Sequence, residues 1–201
     1  MIEAPVRCGW PGDNELMVRY HDEEWGVPVT DDRKIFEFMI LDAFQAGLSW
    51  SIVLNKRIGF AQAFDNFDSE KIALYDENKI QELILDPSII RNKLKIRSTV
   101  RNAQLFLEIQ SKYDGFHHYI WQFTGGKPLV NQFSVMSEIP AKTDESDLMS
   151  NDLKKAGFKF VGSTICYAFM QAAGMVNDHM VDCFRYEPLK QLALQMGSDK
   201  Q

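Results

Sequence analysis

Leu153-Lys-Lys-Ala-Gly-Phe-Lys-Phe-Val-Gly-Ser-Thr164 sets two glycines, Gly157 and Gly162, five residues apart between two helical patterns. Gly157 suits the left-handed C-cap that ends a helix. Gly162 and Ser163 open the next helix with free backbone N–H groups, where the dipole favours an anion such as phosphate. The segment reads as a tight helix-hairpin-helix. Two uses fit such a turn: an ordinary connection between antiparallel helices, or a grip on a DNA backbone that positions a protein without reading bases. Lys154, Lys155 and Lys159 around the turn speak for the second, with Lys159, Gly162, Ser163 and Thr164 as the contacting residues.

Helical periodicity continues outward on both sides, over 146–156 before the turn and 163–173 after it. Further helices are expected at 31–46, 49–60, 68–75, 77–85, 88–113 and 116–123, while strand signals are scarce, so the fold class is all-α. Thr124-Gly-Gly-Lys-Pro128 is a turn, and 134–144 reads as a loop between two groups of helices. A chain of 201 residues with 45% hydrophobic content supports one well-buried core. The expected organisation is a single domain over 1–190, two lobes around a cleft, followed by a C-terminal tail at 191–201. Residues 1–6 are short and carry an acid, unlike a signal peptide, and no apolar run reaches the roughly 18 residues of a membrane span. Three cysteines without a close framework suit a reducing compartment, so the cytoplasm is expected.

The net charge of −6 argues against a generic nucleic-acid coat. Between Ile89 and Arg101, however, stand Arg91, Lys93, Lys95, Arg97 and Arg101 with no acid among them, which is either a phosphate-facing surface or a solvated helix face.

Cysteine and histidine gather at the two ends of the chain: Cys8 and His21, then His179 and Cys183. Two of each make a tetrahedral zinc set, and the second pair is spaced i, i+4, so that both side chains are expected to project from one helix face. Sharing one metal would staple the chain end to end; otherwise these are structural cysteines beside unrelated histidines. Four protein ligands leave no open position for water, so such a zinc is structural.

In the helix at 31–46, Asp42 interrupts Phe38-Met-Ile-Leu-Asp-Ala-Phe44 and lies on the stripe of Met39 and Phe38. A carboxylate there faces an interior and needs a basic side chain, a backbone cap or a bound ligand as partner. Trp10, Tyr20, Trp25 and Trp50 crowd the same first 50 residues. Core packing accounts for most tryptophans; beside a buried carboxylate, such a cluster also holds a flat, electron-poor or cationic ring, as a damaged nucleobase is.

Taken together, Arg7-Cys-Gly-Trp10, Tyr20-His-Asp-Glu-Glu-Trp-Gly-Val-Pro28, Gln45-Ala-Gly-Leu-Ser-Trp50, Gly157-Phe-Lys-Phe-Val-Gly162, Thr164-Ile-Cys-Tyr167 and Val176-Asn-Asp-His179 resemble the 3-methyladenine DNA glycosylase I family, a branch of the helix-hairpin-helix glycosylases. The resemblance runs from Arg7 to about Tyr186. It implies a glycosylase fold whose zinc ligands fall on Cys8, His21, His179 and Cys183. It also implies a monomer that acts on double-stranded DNA containing alkylated adenine, hydrolysing the N-glycosidic bond of 3-methyladenine after base flipping.

By the same resemblance Tyr20 and Trp50 stack on the base with Trp10 and Trp25 beside them. Asp42 contacts the base edge, and Asp42, Tyr20 and Trp50 are the catalytic set. Gln45, Gly47 and Leu48 face the gap left by the flipped nucleotide, Leu48 being either a small apolar wedge or a packed helix end. Where the family's best-known members carry glutamate, this chain has Asp42, one methylene shorter, which leaves the base contact looser, water-bridged or altered in preference. Asn177 occupies the place of the wider superfamily's catalytic aspartate, and no lysine takes the Schiff-base position of lyase members, so a monofunctional enzyme is expected. The competing readings are a non-catalytic, zinc-stapled DNA-binding protein with a degenerate base pocket, and a catalytic zinc hydrolase.

Overall fold

Capping side chains mark where the helices start. The computed structural model describes residues 5–198. α1 (Glu15–Glu23) begins where the Asn14 side chain accepts from Met17 N, and α2 (Asp32–Gln45) begins on Asp31, which accepts from Lys34 N. α3 (Trp50–Asn55) and α4 (Arg57–Ala63) replace the single helix expected at 49–60, because the chain leaves helical geometry at Lys56, φ −100° and ψ 1°. α5 (Ser69–Ala73) and α6 (Glu77–Leu85) are capped by Asp68 and Asp76. α7 (Lys93–Tyr113) starts later than expected, since Asn92 Oδ1 accepts from the N–H groups of both Leu94 and Lys95 at 3.1 Å. α8 (Phe116–Trp121) follows a left-handed stop at Asp114.

α9 (Asp144–Ala156) opens on a reciprocal pair, Thr143 with Ser146, and ends at Gly157 with φ 103°. After the hairpin come α10 (Ser163–Ala172) and α11 (Tyr186–Ser198). Neither α1 nor α11 is among the helices expected from the sequence. The expected tail boundary at 190/191 falls inside α11; residues 199–201 of that tail lie outside the described residues. Nor are the described residues purely helical. Leu129–Val130 (β1) pairs in parallel with Val176–Asn177 (β2), a ladder too short to leave a period-2 signal, and it fixes the segment leading to His179. No helix among the described residues is long and apolar enough to cross a membrane.

α2 is buried almost all round: Ile35, Phe36, Phe38, Ile40, Leu41 and Phe44 are all within the core. Glu37, on the open side of the helix, pairs with Lys34 and Arg57, whereas Asp42 lies on the enclosed stripe of Phe38 and is carried inward. Phe36 meets Phe106 of α7 at 4.8 Å between ring centroids, and Phe106 stacks on Phe116 of α8 at 4.0 Å. Each fully buried phenylalanine contributes about 2–3 kcal/mol by area removed from water. Asp32 ties the start of α2 to α8 by accepting from Phe116 N, His117 N and Gln110 Nε2, all at 2.8 Å.

The strand-like segment after α1 is stitched to the end of α10, with Gly26 N donating to Gln171 O at 2.9 Å and Val29 N to Ala173 O at 3.1 Å. Gly174 turns the chain away with φ +65°, and a Cβ there would strike the backbone of Val27 and Pro28. Gly174→Ala should therefore cost about 2–4 kcal/mol, combining left-handed strain with overpacking against backbone that has no room to move. Urea unfolding checks this, with Gly9→Ala as the control: nothing lies within 4 Å of a Cβ at Gly9, and a near-zero change is expected there.

Candidate active site and metal centre

A cavity of about 350 Å³ opens between α1, α2, α3 and α10, lined by Trp10, Tyr20, Trp25, Asp42 and Trp50, with Gln45, Ile139 and Gln171 completing its wall. It is large enough for a purine base. Tyr20 and Trp50 face each other with centroids 5.1 Å apart, and Trp10 meets Trp25 edge-on at 5.2 Å. The buried Nε1 atoms of Trp10 and Trp50 have no hydrogen-bond partner among the described residues. Burial, then the nearby Asp42, pushes the Tyr20 phenol well above its ordinary pKa, so it stays neutral.

Asp42 is the decisive residue of this wall. It is only 2% exposed, and its Oδ2 has no hydrogen-bond partner among the described residues. Of the three partners expected from sequence, neither a basic side chain nor a backbone cap among the described residues reaches Oδ2. Desolvation alone raises the carboxyl well above its usual range.

Behind the aromatic wall, Cys8, His21, His179 and Cys183 are all buried, with ligand atoms within 4.8 Å of one another. Cys183 Sγ lies 3.4 Å from His179 Nδ1 and 3.6 Å from His21 Nε2, and Cys8 Sγ lies 3.6 Å from His179 Nδ1. A tetrahedral zinc with bonds of about 2.3 Å to sulfur and about 2.0 Å to nitrogen requires S···N edges of roughly 3.5 Å, so the donor set fits the ion.

The outer ring atoms are already assigned. His21 Nδ1 pairs with Asp22 Oδ1 at 2.8 Å, Asp22 in turn receives Arg7 Nη2 at 2.8 Å, and His179 Nε2 donates to Trp25 O at 3.0 Å. The Cys8 thiol, followed by His179 and His21, draws Cys183 towards thiolate. One expectation needs correction: His179 and Cys183 sit in an irregular turn between β2 and α11, not on a helix. The turn still closes the pair because Met180 N donates to Cys8 Sγ and Cys183 N to Met180 O, so the i, i+4 spacing works through a different backbone.

At the far end of the cavity α2 stops in a turn closed by Leu48 N donating to Gln45 O, with Gly47 at φ +82°. Leu48 is 40% exposed at the tip and is no packed helix end. Lys95, grouped by sequence with a basic surface, is buried instead: its Nζ donates to Phe44 O at 2.9 Å and Ala46 O at 2.8 Å, satisfying the last carbonyls of α2. Desolvation holds its pKa below the ordinary lysine value. Lys95→Met strands those carbonyls and is expected to cost about 2–3 kcal/mol in denaturant unfolding. It should also loosen the Leu48 turn, seen as faster amide exchange at Gly47 and Leu48.

The rest of that basic run disperses as well. Arg97 pairs with Glu77 through two contacts of 2.6–2.7 Å, and Arg101 bonds Gln104 at 3.2 Å. Arg91 and Lys93 remain exposed without an ion pair among the described residues. The hairpin keeps its expected form: Lys159 and Thr164 are exposed, Gly162 is the N-cap of α10 without a side-chain cap, and Ser163 Oγ pairs with Ser146 Oγ at 3.0 Å. Asn102 of α7 holds the tip by accepting from Lys159 N at 2.9 Å and donating to Lys159 O at 3.0 Å. Asn177 supports the metal turn, donating to Tyr186 O at 3.1 Å and accepting from His179 N at 3.3 Å.

The sequence model of the methyladenine glycosylase family matches residues 10–186. The chain belongs to this family. It is 47% identical over 180 residues to DNA-3-methyladenine glycosylase 1 of Escherichia coli (strain K12), covering 90% of this chain and 96% of that protein. A crystal structure of 3-methyladenine DNA glycosylase I superimposes with a TM-score of 0.87 at 44% identity, over 89% of this chain and 98% of the other. A variant of 3-methyladenine DNA glycosylase I in complex with 3-methyladenine gives 0.87 at 32% identity, over 90% and 97%.

For a methyladenine glycosylase the structure brings together every aromatic residue picked from the sequence, with Asp42 and Gln45. It adds Ile139, Ala168 and Gln171, for which local pattern offers no signal. Asp22 was also missed, although a carboxylate directly following a candidate histidine ligand is a readable cue.

Proposed function

We propose that this protein excises 3-methyladenine from alkylated double-stranded DNA by hydrolysing the N-glycosidic bond, acting as a monomer in base-excision repair. The observation that carries this reading is Asp42: a buried, unpartnered carboxyl oxygen in the wall of an aromatic cavity. An isolated buried acid is costly unless a ligand completes it. A base methylated at N3 within DNA is cationic and offers N–H groups, and its arrival draws Asp42 to the carboxylate.

The base enters by flipping out of the duplex, since the sugar–base bond cannot be reached within the stack. Tyr20 and Trp50 stack on it, Trp10 and Trp25 close its edge, and the apolar wall excludes bulk water. Leu48, on its exposed turn with Gln45 and Gly47, fills the vacated place in the duplex, while Lys159, Gly162, Ser163 and Thr164 hold the phosphate backbone. Bond breakage sends the C1′–N9 electron pair to the base, which leaves neutral. Water adds its hydroxyl at C1′ and releases a proton, giving an abasic site. A cationic leaving group needs little more than electrostatic help and a positioned water.

No lysine lines the cavity among the described residues, in keeping with hydrolysis rather than Schiff-base lyase chemistry. Zinc held by Cys8, His21, His179 and Cys183 supplies structural cross-linking: it would join the segment bearing Trp10 and Tyr20 to the turn after β2. Incubating the protein with methylated duplex DNA should release free 3-methyladenine, resolved by chromatography, and leave abasic sites without strand breaks. Release no greater than in a protein-free control refutes the enzyme in favour of a DNA-binding protein with a degenerate pocket.

A further inference from the structure

We propose that Gln171 reads the amino edge of the flipped base, and that Asp178 is the positioning residue that sets which end of the Gln171 amide faces it. This rests on the base-excision reading above and names a specificity determinant that reading does not contain.

Gln171 stands near the end of α10 and lines the cavity. Its Nε2 donates to Asp178 Oδ2 at 2.8 Å. Asp178 is 1% exposed and is surrounded by donors: Tyr167 Oη donates to Oδ2 at 2.6 Å and Asn131 Nδ2 to Oδ1 at 2.7 Å. A carboxylate ringed in this way accepts only, so the primary amide of Gln171 must present its nitrogen to Asp178 and turn Oε1 away. No donor among the described residues reaches Oε1. The backbone is pinned as well, because Gln171 O accepts from Gly26 N at 2.9 Å. The result is an acceptor of fixed sense on the cavity wall.

Asp42 cannot supply that fixed sense. A carboxyl group accepts when ionised and donates when protonated, and burial favours the protonated form at Asp42 in the empty cavity. By itself it would tolerate either an amine or a carbonyl on the base edge. Gln171 Oε1 accepts a hydrogen bond from an exocyclic amine and is left unpaired and repelled by a carbonyl oxygen, so the pair selects an adenine-type edge over a hypoxanthine-type edge.

The test measures dissociation constants of free 3-methyladenine and free 3-methylhypoxanthine by tryptophan fluorescence, for the wild type, Gln171→Leu, Gln171→Met and Asp178→Asn. Release of 3-methyladenine from methylated DNA is followed alongside. The wild type should prefer 3-methyladenine by about 10- to 100-fold, the worth of one buried hydrogen bond against an unpaired acceptor. Both Gln171 variants should bring the ratio to within about threefold. Asp178→Asn should also narrow it with Gln171 unchanged, because an amide at 178 lets Gln171 turn over.

A merely structural role would weaken both bases equally and leave the ratio alone. If the wild type releases 3-methyladenine yet the ratio survives in folded Gln171→Met or Gln171→Leu, the assignment of Gln171 is overturned and the base-excision reading stands. An unaltered ratio in folded Asp178→Asn removes Asp178. A wild type that releases no 3-methyladenine overturns the base-excision reading, and this inference with it.

Discussion

Asp42→Asn is expected to lower excision of 3-methyladenine by about 10²-fold, the usual cost of removing one positioned electrostatic group, while affinity for undamaged duplex DNA stays within about twofold. The same substitution should stabilise the free protein, and the sign follows from burial. Desolvation raises the folded pKa of Asp42 well above the ordinary carboxylate value. Below that ordinary value the carboxyl is protonated in both folded and unfolded chains, and burial is penalised little. As pH rises through it, the unfolded chain releases the proton while the folded chain retains it, so stability falls by about 1.4 kcal/mol per pH unit until the folded pKa is reached. Asparagine has no proton to lose. The melting temperature of Asp42→Asn should therefore match the wild type near pH 4 and exceed it by a growing margin towards pH 7.5, read by calorimetry across that range. Equal melting curves at both ends, together with wild-type excision, would remove Asp42 from the site.

Cys183→Ser is expected to abolish metal binding and to lower the melting temperature by at least about 10 °C, since a bound structural zinc contributes folding free energy directly. The large effect comes from topology as much as from bond strength. Cys8 and His179 are 171 residues apart in sequence, and a clip closing so long a loop removes much unfolded-state freedom. Metal analysis should find one zinc per wild-type chain and none in the variant. Trp10 and Trp25 pack against the ligands, with Trp10–His21 centroids at 5.4 Å and Trp25–His179 at 4.6 Å, so tryptophan fluorescence should report the loss. Full stability in a zinc-free variant that has lost activity would point instead to a metal that takes part in the chemistry.

The two predictions draw on features of different legibility. That Cys8, His21, His179 and Cys183 could share one metal was readable from residue types, because two cysteines and two histidines form a tetrahedral donor set, and the fold does gather them. The backbone of the second pair was not, since i, i+4 spacing is shared by a helix and by the turn that forms here. Helix 77–85 was placed to the residue because Asp76 caps it and the apolar spacing ends with it. The expected start at 88 failed because the chain turns there instead, with Ser88 N donating to Asp86 Oδ1 at 2.7 Å, and the helix begins only where Asn92 caps Leu94 N and Lys95 N. α1 went unseen although Asn14 and Glu15 carry the cap signal, because its apolar positions serve the cavity and the metal as well as a core. Lys95 looked like surface because charge runs usually are; only the approach of α2's last carbonyls, about 50 residues away in sequence, makes burial of its amine favourable.

The helical class, the hairpin between Gly157 and Gly162, the grouping of Cys8, His21, His179 and Cys183, the aromatic set around Asp42 and the family to which the chain belongs were all legible in the sequence. Those follow from local backbone preference, periodicity and residue chemistry. The tertiary structure alone decided that Asp42 keeps an empty acceptor, that Lys95 serves the end of α2, and that Gln171 is turned by Asp178. Each depends on which polar groups packing brings within about 3 Å of one another, and hydrogen bonds of that range join parts of the chain whose local patterns carry no information about each other.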